Sequence, residues 1–181
     1  MSISVRCCAA AAAVLLAAAT SAQAQRQAPY PYEIGVDGTI AHRDYDGARS
    51  GVTTVSLPVN TLRVGLFVTN QIELEPSLSY QRISVGDQDQ SQLDLSVAAP
   101  IYFTPERTKP QFFIRPVVGL LHISDPDRTQ VNVGAGLGIK LPIDSRISTR
   151  IEAEYRHGNG SHDIAAYNQF GLILGLSVYT R

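Results

Sequence analysis

The sequence predicts an all-β fold, an eight-stranded antiparallel up-and-down transmembrane β-barrel, on three observations. Beyond residue 30, apolar and polar residues alternate with a period of two, the mark of strands with one apolar and one polar face. Turn-forming clusters interrupt that alternation at hairpin spacing. The polar face combines glycine with charges of both signs, whereas the middle of the apolar face carries none.

The first residues read as an export signal, not as part of the fold. Arg6 supplies a positive start, Ala9 to Ala19 an apolar core too short to span a bilayer, and Ala22-Gln23-Ala24 a small-x-small cleavage site. Residues 1–24 are therefore expected to be removed after Ala24, leaving residues 25–181 as one barrel domain. Cys7 and Cys8 leave with the leader, so no disulfide framework, cysteine nucleophile or cysteine metal site is expected. Fifteen basic and sixteen acidic residues give a net charge of −1, which is no footprint for nucleic acid.

The strands follow in order. Tyr32 to His42 is the first, with Ile34, Val36 and Ile40 opposing Glu33, Gly35, Asp37 and Thr39, and a loop follows over Asp44 to Gly51. The second begins at Val52. Its apolar residues change parity between Leu57 and Leu62, which implies a bulge near Pro58 to Asn60, or a turn dividing it. Ile72 opens the third, where Leu74, Leu78 and Tyr80 oppose Glu73, Glu75 and Ser77; a polar loop over Gly86 to Gln92 closes that hairpin. The fourth runs from Leu93 to Phe103, with Asp94 on its polar side, and turns over Thr104 to Pro110.

The fifth strand sets Phe112, Ile114, Val118 and Leu120 against Phe113, Arg115, Val117 and Gly119, before a loop at Ser124 to Arg128. In the sixth, Val131 to Leu141 alternate with Asn132, Gly134, Gly136, Gly138 and Lys140, ahead of a turn over Pro142 to Ser145. The seventh places Arg150, Glu152, Glu154 and Arg156 on one face and Ile151, Ala153 and Tyr155 on the other. After a loop over His157 to Tyr167, Phe170, Leu172, Leu174, Leu176 and Val178 make the eighth. Four longer loops thus alternate with three shorter turns. Prolines 58, 76, 100 and 116 each forfeit a ladder donor and are expected at bulges or strand ends.

Three features turn the charged face inward. Glycines on that face, among them Gly35, Gly65, Gly136 and Gly175, make room in a lumen barely wide enough for side chains. On the apolar face, Tyr32, Phe103 and Phe112 fall at the turn end and Tyr80, Tyr155 and Phe170 at the loop end, forming two interfacial aromatic girdles. A solvated surface usually carries many lysines, and this chain has only Lys109 and Lys140. Inward charges require partners. Glu33, Asp37, Glu73, Glu75, Asp94, Glu152 and Glu154 can pair with Arg63, Arg115, Lys140, Arg150 and Arg156.

The segments LRVGLFVT (Leu62 to Thr69), IEAEYRH (Ile151 to His157) and NQFGLILGLSV (Asn168 to Val178) resemble the small outer-membrane β-barrel superfamily, the OmpA-like transmembrane domain and its relatives. The resemblance implies a bacterial outer-membrane location, outer-membrane lipids as surroundings and insertion by the barrel assembly machinery. Such barrels commonly end on an outward aromatic, and this chain departs from that pattern, since Tyr179 has inward parity. Oligomeric state leaves no mark on the sequence.

The expected role is structural or surface-contact, with room at most for a narrow pore. Two alternatives stand beside it. The segment Arg156 to Asp163 faintly resembles the lipid A deacylases, but Asn159 occupies the place of the expected serine and Gly171 to Val178 carries no outward acid. Consecutive Ser161, His162 and Asp163 do not make a triad. The other alternative is a soluble lipocalin-like barrel with its apolar face inside. His42 and His122 stand alone near strand ends, without the convergent ligands of a metal site. No cofactor is expected: Gly134, Gly136 and Gly138 have strand spacing and lack the strand-to-helix setting of a nucleotide loop.

Overall fold

The computed structural model describes residues 32–47, 50–85, 88–124, 127–160 and 165–180. The expected leader lies outside them. The strands are β1 (Tyr32–Tyr45), β2 (Val52–Phe67), β3 (Glu73–Val85), β4 (Gln88–Ala98), β5 (Ile101–Tyr102), β6 (Gln111–Ser124), β7 (Asp127–Asp144), β8 (Ile147–Gly158) and β9 (Tyr167–Thr180). They form one antiparallel sheet that closes on itself, because β1 pairs with β9 and β4 pairs with β6. The short β5 completes the β4 wall: Ala98 faces Val117 and Ile101 faces Ile114 in a single register, across a break at Ala99 and Pro100. The wall therefore has eight strands, as the periodicity predicts.

The register explains how the lumen is filled. Starting at Gly35, successive ladder partners around the barrel are Arg63, Ser77, Ser96, Gly119, Asn132, Gly158 and Tyr167. The circuit returns to β1 at Tyr45, ten residues above its start. That stagger accompanies the strand tilt a barrel needs to close. Every residue of the circuit has inward parity, so the interior is a spiral of side chains from all the strands.

Orientation is decided by exposure. Arg150 and Glu152 are each 1% exposed, while their neighbour Ile151 is 42% exposed and Leu174 opposite it 41%. The apolar face is outside. The lipocalin-like alternative required the reverse and is overturned.

Several sequence expectations at strand ends and prolines are corrected. The loop expected over Gly86 to Gln92 is mostly ladder, since β3 runs to Val85 and pairs with Gln88 at the start of β4. The ladder likewise extends into the loop expected over Ser124 to Arg128, with Ser124 facing Asp127. The rhythm of four long loops and three short turns fails accordingly. In both hairpins one arm, Gln88 to Gln92 on β4 and Asp127 to Gln130 on β7, is polar on both faces, and backbone pairing continues there without hydrophobic alternation. Pro76 and Pro116 lie within β3 and β6, not at their ends. The β2–β3 ladder lapses opposite Pro76, and the Pro116 carbonyl still accepts from the Ala99 N–H at 3.0 Å. At Pro58 the bulge alternative holds: residues 57–60 stand opposite Gly38 alone within a continuous β2.

Inward glycines provide the space. A Cβ at Gly35 would strike the Arg63 guanidinium, one at Gly65 or Gly136 the carboxylates of Glu73 or Glu152, and one at Gly175 that of Asp37. Gly136→Leu should therefore cost about 1–3 kcal/mol of stability through overpacking, while the lipid-side Leu137→Ala should cost less. Urea titration in detergent, followed by circular dichroism, checks the ranking.

Candidate functional site

Twelve charged side chains meet on the axis, seven carboxylates and five cations among the described residues. The strand period places them: each occupies an inward position, and the stagger brings residues from distant strands to one level. Glu75 is the hub. Its Oε2 accepts from Arg63 Nη1 at 3.1 Å and Arg150 Nη1 at 2.8 Å, and its Oε1 from Arg115 Nε at 2.7 Å.

From that hub the network runs both ways. Arg63 also binds Glu33 toward the turn end, donates to the Ser177 hydroxyl of β9 at its own level and reaches Asp37 Oδ2 at 3.0 Å on the cavity side. Lys140 Nζ bridges Glu33 at 2.6 Å and Glu73 at 3.1 Å, and Tyr102 donates to Glu73. The oxygens of Glu33, Glu73 and Glu75 lie within 4.8 Å of one another, a spacing that would suit a metal ion, but Lys140 and the arginines already neutralise them. Toward the loop end, Arg150 pairs with Glu152. Arg115 reaches Glu154 at 2.7 Å, Arg156 joins Glu154 at 2.6 Å, and Asp94 at 3.0 Å ends the chain.

The two ends of the lumen differ. At the turn end Arg107 lies 3.7 Å over the Phe67 ring, Phe67 stacks on Tyr102, and Tyr102 meets Phe113. Tyr179, inward as its parity predicts, bonds the Ser148 hydroxyl at 3.0 Å. Together these close the turn end. Beyond the network on the loop side is a polar cavity of about 110 Å³, walled by Thr39, Ser56, Ser79 and Gln92 and rimmed by Arg43, Tyr45 and Tyr167. Sequence reasoning did not single out the sealing aromatics. Parity was the available signal, since the alternation that turns Arg115 inward also turns Phe113 inward.

The six aromatics expected in girdles all project outward, from 44% exposed at Tyr155 to 64% at Phe170. Tyr155 and Phe170 are ladder partners with ring centroids 6.2 Å apart. His157, outward beside them, meets Asn168 Oδ1 at 3.0 Å, and the Tyr155 hydroxyl donates to the same oxygen at 2.7 Å. His42 and His122 each meet a cross-strand threonine, Thr53 at 2.8 Å and Thr129 at 3.2 Å. Ser161, His162 and Asp163 lie outside the described residues. Among the described residues, the lumen between the closed turn end and the cavity is filled by an ion-pair network.

Residues 10–177 match the outer membrane protein β-barrel domain family, and the chain belongs to that family. Among solved structures the chain is similar to Neisserial surface protein A, with a TM-score of 0.66, 10% identity and coverage of 82% of this chain and 96% of that one. It is also similar to the outer membrane protein OprG of Pseudomonas aeruginosa (TM-score 0.56, 12% identity, 84% and 97% covered). The outer membrane enzyme PagL shares the fold as well (TM-score 0.52, 13% identity, 78% and 97% covered). At such identities the likeness is one of fold, which hosts more than one function. No curated protein matches the sequence.

Removing the hub charge takes one partner from each of three buried arginines, Arg63, Arg115 and Arg150, which keep Glu33 and Asp37, Glu154, and Glu152 respectively. Glu75→Gln is expected to destabilise the barrel by about 1.5–3 kcal/mol, the worth of hydrogen bonds to charged groups. Glu106→Gln, which breaks only the exposed pair with Lys109, should stay within about 0.5 kcal/mol. Urea midpoints in detergent micelles measure both.

Proposed function

We propose that this outer-membrane β-barrel is a plugged wall element with a structural or surface-contact role and no chemistry of its own. The continuous ion-pair network across the lumen carries the reading: an aqueous path would have to pass between groups bonded at 2.6 to 3.1 Å. A wide diffusion pore is incompatible with an eight-stranded lumen filled this way.

In this reading Glu33, Asp37, Arg63, Glu73, Glu75, Asp94, Arg115, Lys140, Arg150, Glu152 and Glu154 hold the barrel shut from within. Tyr32, Phe103 and Phe112 mark the inner membrane–water interface, and Tyr80, Tyr155 and Phe170 the outer one. Outer-membrane lipids are the immediate partners and the barrel assembly machinery inserts the chain. Export proceeds through the leader, with cleavage after Ala24.

Two measurements test the proposal. In planar bilayers the purified protein should leave conductance near the protein-free background, and a large steady channel would refute the plug. Intact mass of protein extracted from outer membranes should correspond to a chain starting at Gln25; an uncleaved chain would refute the leader assignment.

A further inference from the structure

The β2–β3 seam is the one interruption of the described wall that coincides with the polar cavity. Its ladder runs from Phe67↔Glu73 up to Thr61↔Ser79 and stops. Above that level, among the described residues, no pair joins β2 to β3, although β2 stays paired with β1 as far as Val52 and β3 with β4 as far as Val85. The bulge accounts for the gap. The extra residues of β2 fold over β1, where a Cβ on Gly38 would lie 2.6 Å from the Pro58 carbonyl oxygen, so the length needed to follow β3 is taken up on the other side.

The cavity lies directly behind this gap. Thr54 and Ser56 on the β2 lip and Ser79 and Gln81 on the β3 lip all line it, and Asn60 Nδ2 donates to Ser79 Oγ at 3.3 Å at the foot of the opening. The outer surface of the β2 lip is apolar, with Val55 63%, Leu57 50% and Val59 53% exposed. An apolar lip outside and a hydroxyl-lined cup inside together match an amphiphile lying along the wall with its head turned in.

We infer that the β2–β3 seam is a side entrance through which the uncharged, hydroxyl-rich head of an outer-leaflet lipid enters the polar cavity. The inference rests on the outer-membrane reading above, which puts Tyr80, one residue above the last paired position, at the outer interface. Two observations select the head chemistry. Most ionic groups bordering the cavity face an opposite charge, Arg115 with Glu75 and Glu154, Arg156 with Glu154 and Asp94, and Asp37 with Arg63, while the Arg43 guanidinium is held by the neutral side chains of Gln169 and Gln92. The seam also leaves backbone N–H and C=O groups on both lips, which need partners at a bilayer boundary; hydroxyls supply both donors and acceptors. A cavity of about 110 Å³ corresponds to roughly seven to eleven water positions at ~10–15 Å³ each, room for a compact head.

The test places the photo-reactive amino acid p-benzoylphenylalanine at Ser56, inside the lip, or at Val55, outside it. The full protein is reconstituted in phosphatidylcholine vesicles containing a monoglucosyl diacylglycerol. Ser56 should yield mainly glucolipid adducts and Val55 adducts of both lipids. Deleting Leu57, Pro58 and Val59 restores an unbroken β1–β2 register, with Asn60 opposite Gly38 and Ser56 opposite Thr39, and extends β2 alongside β3. In that background the Ser56 adduct should vanish and the Val55 adducts persist. Folding of each variant is read from heat-modifiable gel migration. Should the deletion not fold, a glucolipid series on the undeleted chain decides: Ser56 yield must saturate while Val55 yield rises in proportion. Adducts at Val55 without any at Ser56, equal Ser56 labelling with and without the deletion, or no glucolipid preference at Ser56 would each overturn the entrance. Absence of lipid adducts at both positions would overturn the membrane placement as well.

Discussion

The structure depends on compensation of buried charge. A carboxylate or guanidinium removed from water is tolerated only when its partners are close and geometrically satisfied, and a barrel in lipid has one place to bury such groups, its own axis. Here Glu75 receives three arginines, and the chain of pairs extends to Lys140 at the turn end and Asp94 at the loop end. Contributions come from every strand, including Ser177 of β9 and Tyr102 of β5. The network thus ties the closed sheet together across its lumen as the ladder does around its circumference.

Space and charge are coupled in this design. Several long side chains reach the axis over positions that lack a Cβ, and Gly35, Gly65, Gly136 and Gly175 lie against Arg63, Glu73, Glu152 and Asp37 in turn. Where the glycines and long charges give way to serine, threonine and glutamine, the packing ends and the cavity begins. The lumen therefore has a sealed half and an open half. The bulge in β2 belongs to the open half, where a lapse in the ladder adjoins polar side chains that water or a lipid head can reach.

Much of this was legible in the sequence because the strand period is two. Once Arg150 and Glu152 are turned inward, each charged residue follows by parity, and Glu33, Arg63, Glu73, Glu75, Arg115, Lys140 and Glu154 are all buried. Pairing was not legible. That Glu75 meets arginines from β2, β6 and β8 depends on the stagger of the closed barrel, a global quantity that no local window contains. Strand ends were misjudged for a different reason: around Gln88 to Gln92 both faces are polar, so the hydrophobic signal disappears while the hydrogen-bond ladder continues. The prolines misled likewise. Pro116 stays within its strand because its carbonyl still serves the ladder.

The orientation of the wall is most directly measured by a nitroxide scan along β8, residues 147–158, in lipid vesicles, using collision with oxygen as the reporter of the hydrocarbon phase. A period of two is expected, with oxygen accessibility highest at Ile151, Ala153 and Tyr155 and lowest at Arg150, Glu152 and Glu154. Maxima on the charged positions, or a flat profile, would contradict it.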